Sequence, residues 1–147
     1  MHFFGVFDGH GGDAVALYVK KYLPGLLKAS RNLASSNYEK IFEEVYRKID
    51  TMLDAKTAVD ELKKMYKNGK ATAEDNLTIS GDEVNHAMTS GCTACCAIIT
   101  SEKIFVGNLG DSRAVLAKNP PSDDMFGKDG LVAFDMSTDM KPDNEEE

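Results

Sequence analysis

The chain predicts an α+β fold, and three observations carry the prediction. Helical periodicity recurs in three stretches between residues 13 and 67. Small, β-branched and apolar residues dominate residues 89–134. Ahead of both stands an apolar, aromatic run, Phe3-Phe4-Gly5-Val6-Phe7, which is bounded by glycines and reads as a buried strand. Helices in one stretch and strands in another form the α+β pattern.

The opening run ends in Asp8-Gly9-His10-Gly11-Gly12. Asp8 sits where the strand leaves the core, and the glycines let the backbone turn sharply and approach a ligand. A helix is expected to start at once, near Asp13. An acid and a histidine are therefore held between a strand end and a helix N-terminus, a place that favours anions. An isolated Asp-Gly-His, however, more often only makes turn hydrogen bonds.

The first helix is expected over 13–29, because Val15, Tyr18, Val19, Tyr22, Leu23, Leu26 and Leu27 recur at spacings of three and four. Pro24 is expected to end or kink it, leaving 26–29 as a separate turn. The serine-rich stretch 31–37 reads as a loop. A second helix runs from Tyr38 through Ile41, Phe42, Val45, Tyr46, Ile49, Met52 and Leu53, with Glu43, Glu44, Arg47 and Lys48 on its solvated face. A third is expected over 57–67, with Asn68-Gly69 as its stop. Residues 68–88 read as a surface insertion. Within it, an echo of a calcium loop fails, since Leu77 stands where glycine is needed. The sequon at Asn76 would be idle in a cytosolic protein.

From residue 89 the pattern is β. Strands over 89–100, 103–109 and 112–118, joined at Ser101-Glu102 and Gly110-Asp111, predict a three-stranded meander. Residues 119–130 form a loop, 131–134 a fourth short strand, and 139–147 an acidic helix approach or frayed tail. No internal repeat is present.

The totals exclude several classes of function. One domain fits 147 residues, and 42% hydrophobic with 28% charged residues is ordinary for a globular chain. A net charge of −7 argues against a nucleic-acid partner. No apolar run is long enough to span a membrane, and no basic leader of a signal peptide is evident. Cys92, Cys95 and Cys96 read as small core residues of a reduced, intracellular protein. Cys92-x-x-Cys95 has a redox or zinc spacing but lacks a second ligand pair.

Three strings taken together suggest a family. Phe4-Gly5-Val6-Phe7-Asp8-Gly9-His10-Gly11-Gly12, Ser90-Gly91-Cys92-Thr93-Ala94 and Val106-Gly107-Asn108-Leu109-Gly110-Asp111-Ser112-Arg113-Ala114 resemble, in order, motifs of the metal-dependent Ser/Thr protein phosphatases of the 2C type. The resemblance implies an antiparallel β-sandwich flanked by helical layers, present here only in part. It implies two or three Mg2+ or Mn2+ ions. Asp8 would bridge two of them, Gly9 would lend its carbonyl, and Asp111 would belong to a further, weaker site. His10 would protonate the leaving serine or threonine oxygen, and a metal-bridging hydroxide would attack. Partners would be phosphoserine and phosphothreonine proteins, met by a monomer in the cytoplasm or nucleus.

The residues also bear plainer readings. A carboxylate and a backbone carbonyl suit hard cations, and a histidine suits proton transfer. Asp111 alone would be a turn former. Arg113 more simply pairs with a carboxylate than with phosphate, and Gly91 more simply allows close strand packing. Ser90 and Thr93 have no base beside them in sequence to make them nucleophiles. Ser137-Thr138-Asp139-Met140-Lys141-Pro142 resembles the family's Asp-His-Lys-Pro motif, with Met140 where histidine is usual. The family has an acidic ligand before the Asp8 motif and two further aspartates after the last loop. Residues 1–147 alone are therefore expected to be inactive. The rival reading is a catalytically silent module that binds phosphoproteins or another subunit. An aspartyl-phosphate phosphotransferase would need a second Asp in place of His10.

Overall fold

The computed structural model describes residues 1–68, 90–119 and 130–141. Residues 69–89, which hold most of the expected insertion and Gly69 of the expected stop, residues 120–129 of the expected loop and residues 142–147 of the tail lie outside them.

The fold is α+β, with helices packed on an antiparallel sheet. Strand β1 (His2–Val6) is followed by the short β2 (Gly9–His10) and four helices: α1 (Ala14–Ala29), α2 (Arg31–Ala34), α3 (Tyr38–Leu53) and α4 (Lys56–Asn68). Among the described residues five strands follow: β3 (Gly91–Cys92), β4 (Ala94–Ile99), β5 (Ile104–Leu109), β6 (Val115–Lys118) and β7 (Val132–Asp135). The strand order β1-β4-β5 forms the main sheet, and β2-β3 and β6-β7 form two small ones.

The periodic residues of α1 and α3 do what their spacing predicts. Val15, Val19, Leu23 and Leu27 of α1 are buried, as are Ile41, Phe42, Val45 and Ile49 of α3. They pack with Leu62 of α4 and with Cys96 and Ile98 of β4 in one core. Helix α1 runs on through Pro24. The carbonyl that loses its partner there belongs to Lys20, an exposed residue, so water can satisfy it. The buried Leu23 and Leu27 anchor the helix on either side of the proline. Residues 31–37, expected as a loop, contain the one-turn α2. The Ser30 hydroxyl caps it, accepting from Asn32 N–H at 3.1 Å, and donates to Glu44 of α3 at 2.6 Å. Lys21 and Tyr22 of α1 both donate to Glu61 of α4.

Helix α3 lies directly on the sheet. The Tyr46 hydroxyl donates to the Gly107 carbonyl at 2.9 Å and reaches that of Ala94 at 3.3 Å. The Tyr38 and Phe105 rings stack at 4.4 Å. Alternation along the strands puts Phe3 and Phe105 on this face and leaves Phe4 and Val6 exposed on the other.

The expected meander needs correction. Strands β4 and β5 form a hairpin through Ser101-Glu102, closed by Thr100 N–H donating to Lys103 C=O at 2.9 Å. The third strand of that sheet is β1, running from His2↔Ile99 to Val6↔Cys95. Beyond Gly110-Asp111 the chain leaves the sheet, and β6 pairs with β7 instead. The turn at Gly110 (φ +88°) is thus a departure from the sheet rather than a hairpin tip. Cys92, Cys95 and Cys96 are free thiols, as expected.

Candidate active site

Strand β1 delivers Asp8 to the end of the sheet, and Thr93 receives it there. Thr93 N–H donates to the Asp8 carbonyl at 2.8 Å, and Asp8 N–H donates to Thr93 Oγ1 at 3.1 Å. Thr93 is buried at the break between β3 and β4, where the chain leaves one strand ladder for another. Its hydroxyl also meets the Ser112 hydroxyl at 2.7 Å. One threonine side chain therefore joins the backbone of Asp8 to the residue after Asp111.

Gly9 and His10 continue into the ladder with β3, in the register Gly9↔Cys92 and His10↔Gly91. The chain then turns through Gly12, whose φ of +111° is open to glycine and costly for other residues. Helix α1 begins two residues on, behind the Asp8 turn, where the sequence places it. The side chains of Asp8, His10 and Asp111 are all exposed.

The turn carrying Asp111 is strapped down by residues 136–140. Met140 N–H donates to the Gly110 carbonyl at 2.9 Å, a backbone bond that makes no use of the side chain at 140. Asn108 Nδ2 donates to the Gly110 and Thr138 carbonyls, both at 3.0 Å. Ala114 N–H donates to Ser137 Oγ at 3.0 Å. Arg113 grips Asp139 with both prongs of its guanidinium, Nε at 2.8 Å and Nη2 at 2.9 Å, and Asp135 lies 3.9 Å away. This pairing holds the Asp139 carboxyl below its ordinary range and raises Arg113. Arg113 is thus engaged with carboxylates, as its plainer sequence reading has it.

The structure brings the predicted residues together unevenly. Asp8, Gly9 and His10 are contiguous, and Asp111 joins them through Ser112 and Thr93. The sequence reading sets Thr93 aside because it has no base beside it, and gives Ser112 no role beyond its place in the third string. Their role as a bridge shows only once residues 85 apart are in contact. Gly91 was read as a packing residue, and the structure puts the His10 imidazole against it. Asp8 and the Gly9 carbonyl offer hard oxygen donors of the kind divalent magnesium or manganese takes. Among the described residues, though, no three His, Cys, Asp or Glu side chains converge to hold a metal. The donors fit such an ion in kind and are too few to hold it by themselves. No helix among the described residues is long and apolar enough to cross a membrane.

An α+β frame on which these three strings meet at one point defines a family. The family model described as Protein phosphatase 2C matches residues 1–147, and the chain belongs to that family. It is 37% identical over 147 residues to probable protein phosphatase 2C 6 of Paramecium tetraurelia, covering 100% of this chain and 41% of that protein. It is 35% identical to protein phosphatase 2C 1 of the same organism, with 98% and 39% covered. Probable protein phosphatase 2C 21 of Arabidopsis thaliana is 32% identical over 165 residues, with 99% and 43% covered. The chain thus spans about two fifths of the length of the curated relatives it matches.

Proposed function

We propose that the full-length protein is a metal-dependent phosphatase of phosphoserine and phosphothreonine proteins. The observation that carries this reading is the Thr93 bridge, which ties the Asp8 turn to the turn bearing Asp111 within a chain of the 2C family. Asp8 and the Gly9 carbonyl would hold magnesium or manganese, with Asp111 serving a further, weaker site. Such ions would neutralise phosphate charge and lower the pKa of the attacking water.

The chain's own residues would do the rest. The Thr93 clamp fixes the backbone of Asp8, so that its carboxylate is presented from a rigid point. His10 lies two residues on, exposed to incoming substrate. It would donate a proton to the serine or threonine oxygen as the bond to phosphorus breaks. That alkoxide is a poor leaving group, and protonation is what it needs.

Residues 1–147 alone are read as silent. Among the described residues, Asp8 and Gly9 are not joined by a third convergent acid, and a catalytic ion needs its ligands fixed to about 0.5 Å. The experiment is a manganese-dependent phosphoserine-peptide assay on the full-length protein, on its Asp8→Ala variant and on residues 1–147. Several kcal/mol of lost charge stabilisation, at about 1.4 kcal/mol per tenfold, predicts a drop of about 10³-fold or more in Asp8→Ala. Near-normal turnover by that variant would remove Asp8 from the site. Turnover by residues 1–147 alone would show that the ligands are elsewhere.

A further inference from the structure

The imidazole of His10 occupies the space that a side chain on Gly91 would need. The two residues face each other in the β2–β3 ladder. A Cβ built on Gly91 would lie 2.6 Å from His10 Nε2, closer than such atoms approach in proteins, and a tight 3.0 Å from Cε1. Backbone conformation does not explain the glycine, since Gly91 is not among the glycines with positive φ. What the position requires is an absent side chain.

Gly91 is itself firmly placed. Its neighbour Cys92 pairs with Gly9, and Thr93 is clamped to Asp8. The floor beneath the imidazole therefore belongs to the same backbone unit that fixes Asp8.

We propose that Gly91 is a positioning residue for His10, its bare Cα serving as the seat that sets where Nε2 stands relative to Asp8. This rests on the reading of His10 as the proton donor. A methyl group at 91 would displace the ring by about 1 Å, and a misplacement of that size costs about 10²-fold in rate. Because His10 is exposed, the ring can swing into solvent, so the substituted protein is expected to fold.

The test is a double-mutant cycle in the full-length protein: wild type, Gly91→Ala, His10→Ala and the pair. Each is assayed with manganese on a phosphoserine peptide and on p-nitrophenyl phosphate, whose leaving group needs no proton. Gly91→Ala should lower kcat on the peptide by about 10²-fold and leave the aryl substrate almost unchanged. In the His10→Ala background the same substitution should cost nothing more, because alanine at 10 leaves room for the new methyl. Equal losses on both substrates, or a loss that persists in the His10→Ala background, would overturn the proposal and make Gly91 a strand residue only. If His10→Ala itself fails to discriminate between the substrates, the proton-donor reading fails and takes the seat's role with it. A metal-free measurement stands apart from turnover. The wild-type protein should show a nuclear Overhauser contact between Gly91 Hα and His10 Hε1, and its absence would refute the seating directly.

Discussion

Thr93 grips Asp8 through both polar groups of its backbone, donating its own N–H to the Asp8 carbonyl and accepting the Asp8 N–H on its hydroxyl oxygen. The same oxygen contacts Ser112, so the grip extends to the turn that bears Asp111. Thr93 is only 8% exposed, and water has little access to replace what it supplies.

Thr93→Val keeps the shape and removes the acceptor. A hydrogen bond lost at this part-buried site costs about 0.5–1.5 kcal/mol, so the melting temperature should fall. Loss of a supporting contact around metal ligands typically costs about 10–100-fold in metal affinity, and manganese activation of the full-length protein should shift by that much. Thr93→Ser should behave like wild type. An unchanged melt together with an unchanged manganese curve in Thr93→Val would show that the grip holds neither the fold nor the metal ligands.

Gly107→Ala should destabilise the helix–sheet contact. A Cβ there would stand 2.4 Å from Phe42 Cγ, and Phe42 is 6% exposed with nowhere to swing. Overpacking of this kind costs about 1–3 kcal/mol. Urea denaturation should show a lower midpoint with an unchanged slope, and an unchanged midpoint would mean that the ring relaxes freely.

Acid should loosen the surface ties of the fold. Hydrogen bonds from Ser30 and Asn32 lower Glu44, those from Lys21 and Tyr22 lower Glu61, and Arg113 lowers Asp139. Each folded-state pKa lies below its unfolded value. The stability these groups contribute is therefore complete above the unfolded pKa, near 4, and is lost as pH falls through the folded one. The urea midpoint should drop between pH 5 and pH 3 (roughly the carboxylate range), and the combined E44Q/E61Q/D139N variant should show a shallower drop. Parallel curves would exclude these three groups.

The thiols should be slow to react. Burial pushes Cys92 and Cys96 up to about 11 and raises Cys95, against a hydrogen bond with Ser137 that works the other way. At pH 8 a thiol of that pKa is ionised in about one molecule in a thousand. Ellman's reagent should label the native chain slowly and take up three equivalents once it is unfolded. Fast labelling of one thiol in the native chain would show that β3 and β4 open readily.

The helices were legible because their signal is local. In α3 the apolar residues from Ile41 to Ile49 repeat with the helical period, and the repeat alone sets the buried face. Pro24 does not end α1, because buried residues on both sides of it hold the helix to the core. Strand pairing was less legible. Gly110-Asp111 has the chemistry of a hairpin turn, but nothing near it in the chain says that β1 will take the place beside β4 and that β6 will leave. Site residues divided in the same way. Asp8, Gly9 and His10 share one string and could be proposed together. The work of Thr93, Ser112 and Gly91 consists of contacts across the fold, and their residue types alone say hydroxyl, hydroxyl and small.

The pairing of β1 with β4 sets a timetable for the chain as it is made. Asp8 and Thr93 are 85 residues apart. At about 5–20 residues per second, the ribosome delivers the second roughly 4–17 s after the first. Helices α1, α3 and α4 all lie between the two in the chain and are made before Thr93. Strand β1, with Phe3, Phe4 and Val6, must wait through that interval with its partner unmade. The hairpin β4–β5 is made after the helices, and β1 cannot pair with β4 until it is there. The clamp on Asp8 therefore cannot close until Thr93 has been made, which couples the placing of Asp8 to the pairing of β1 with β4.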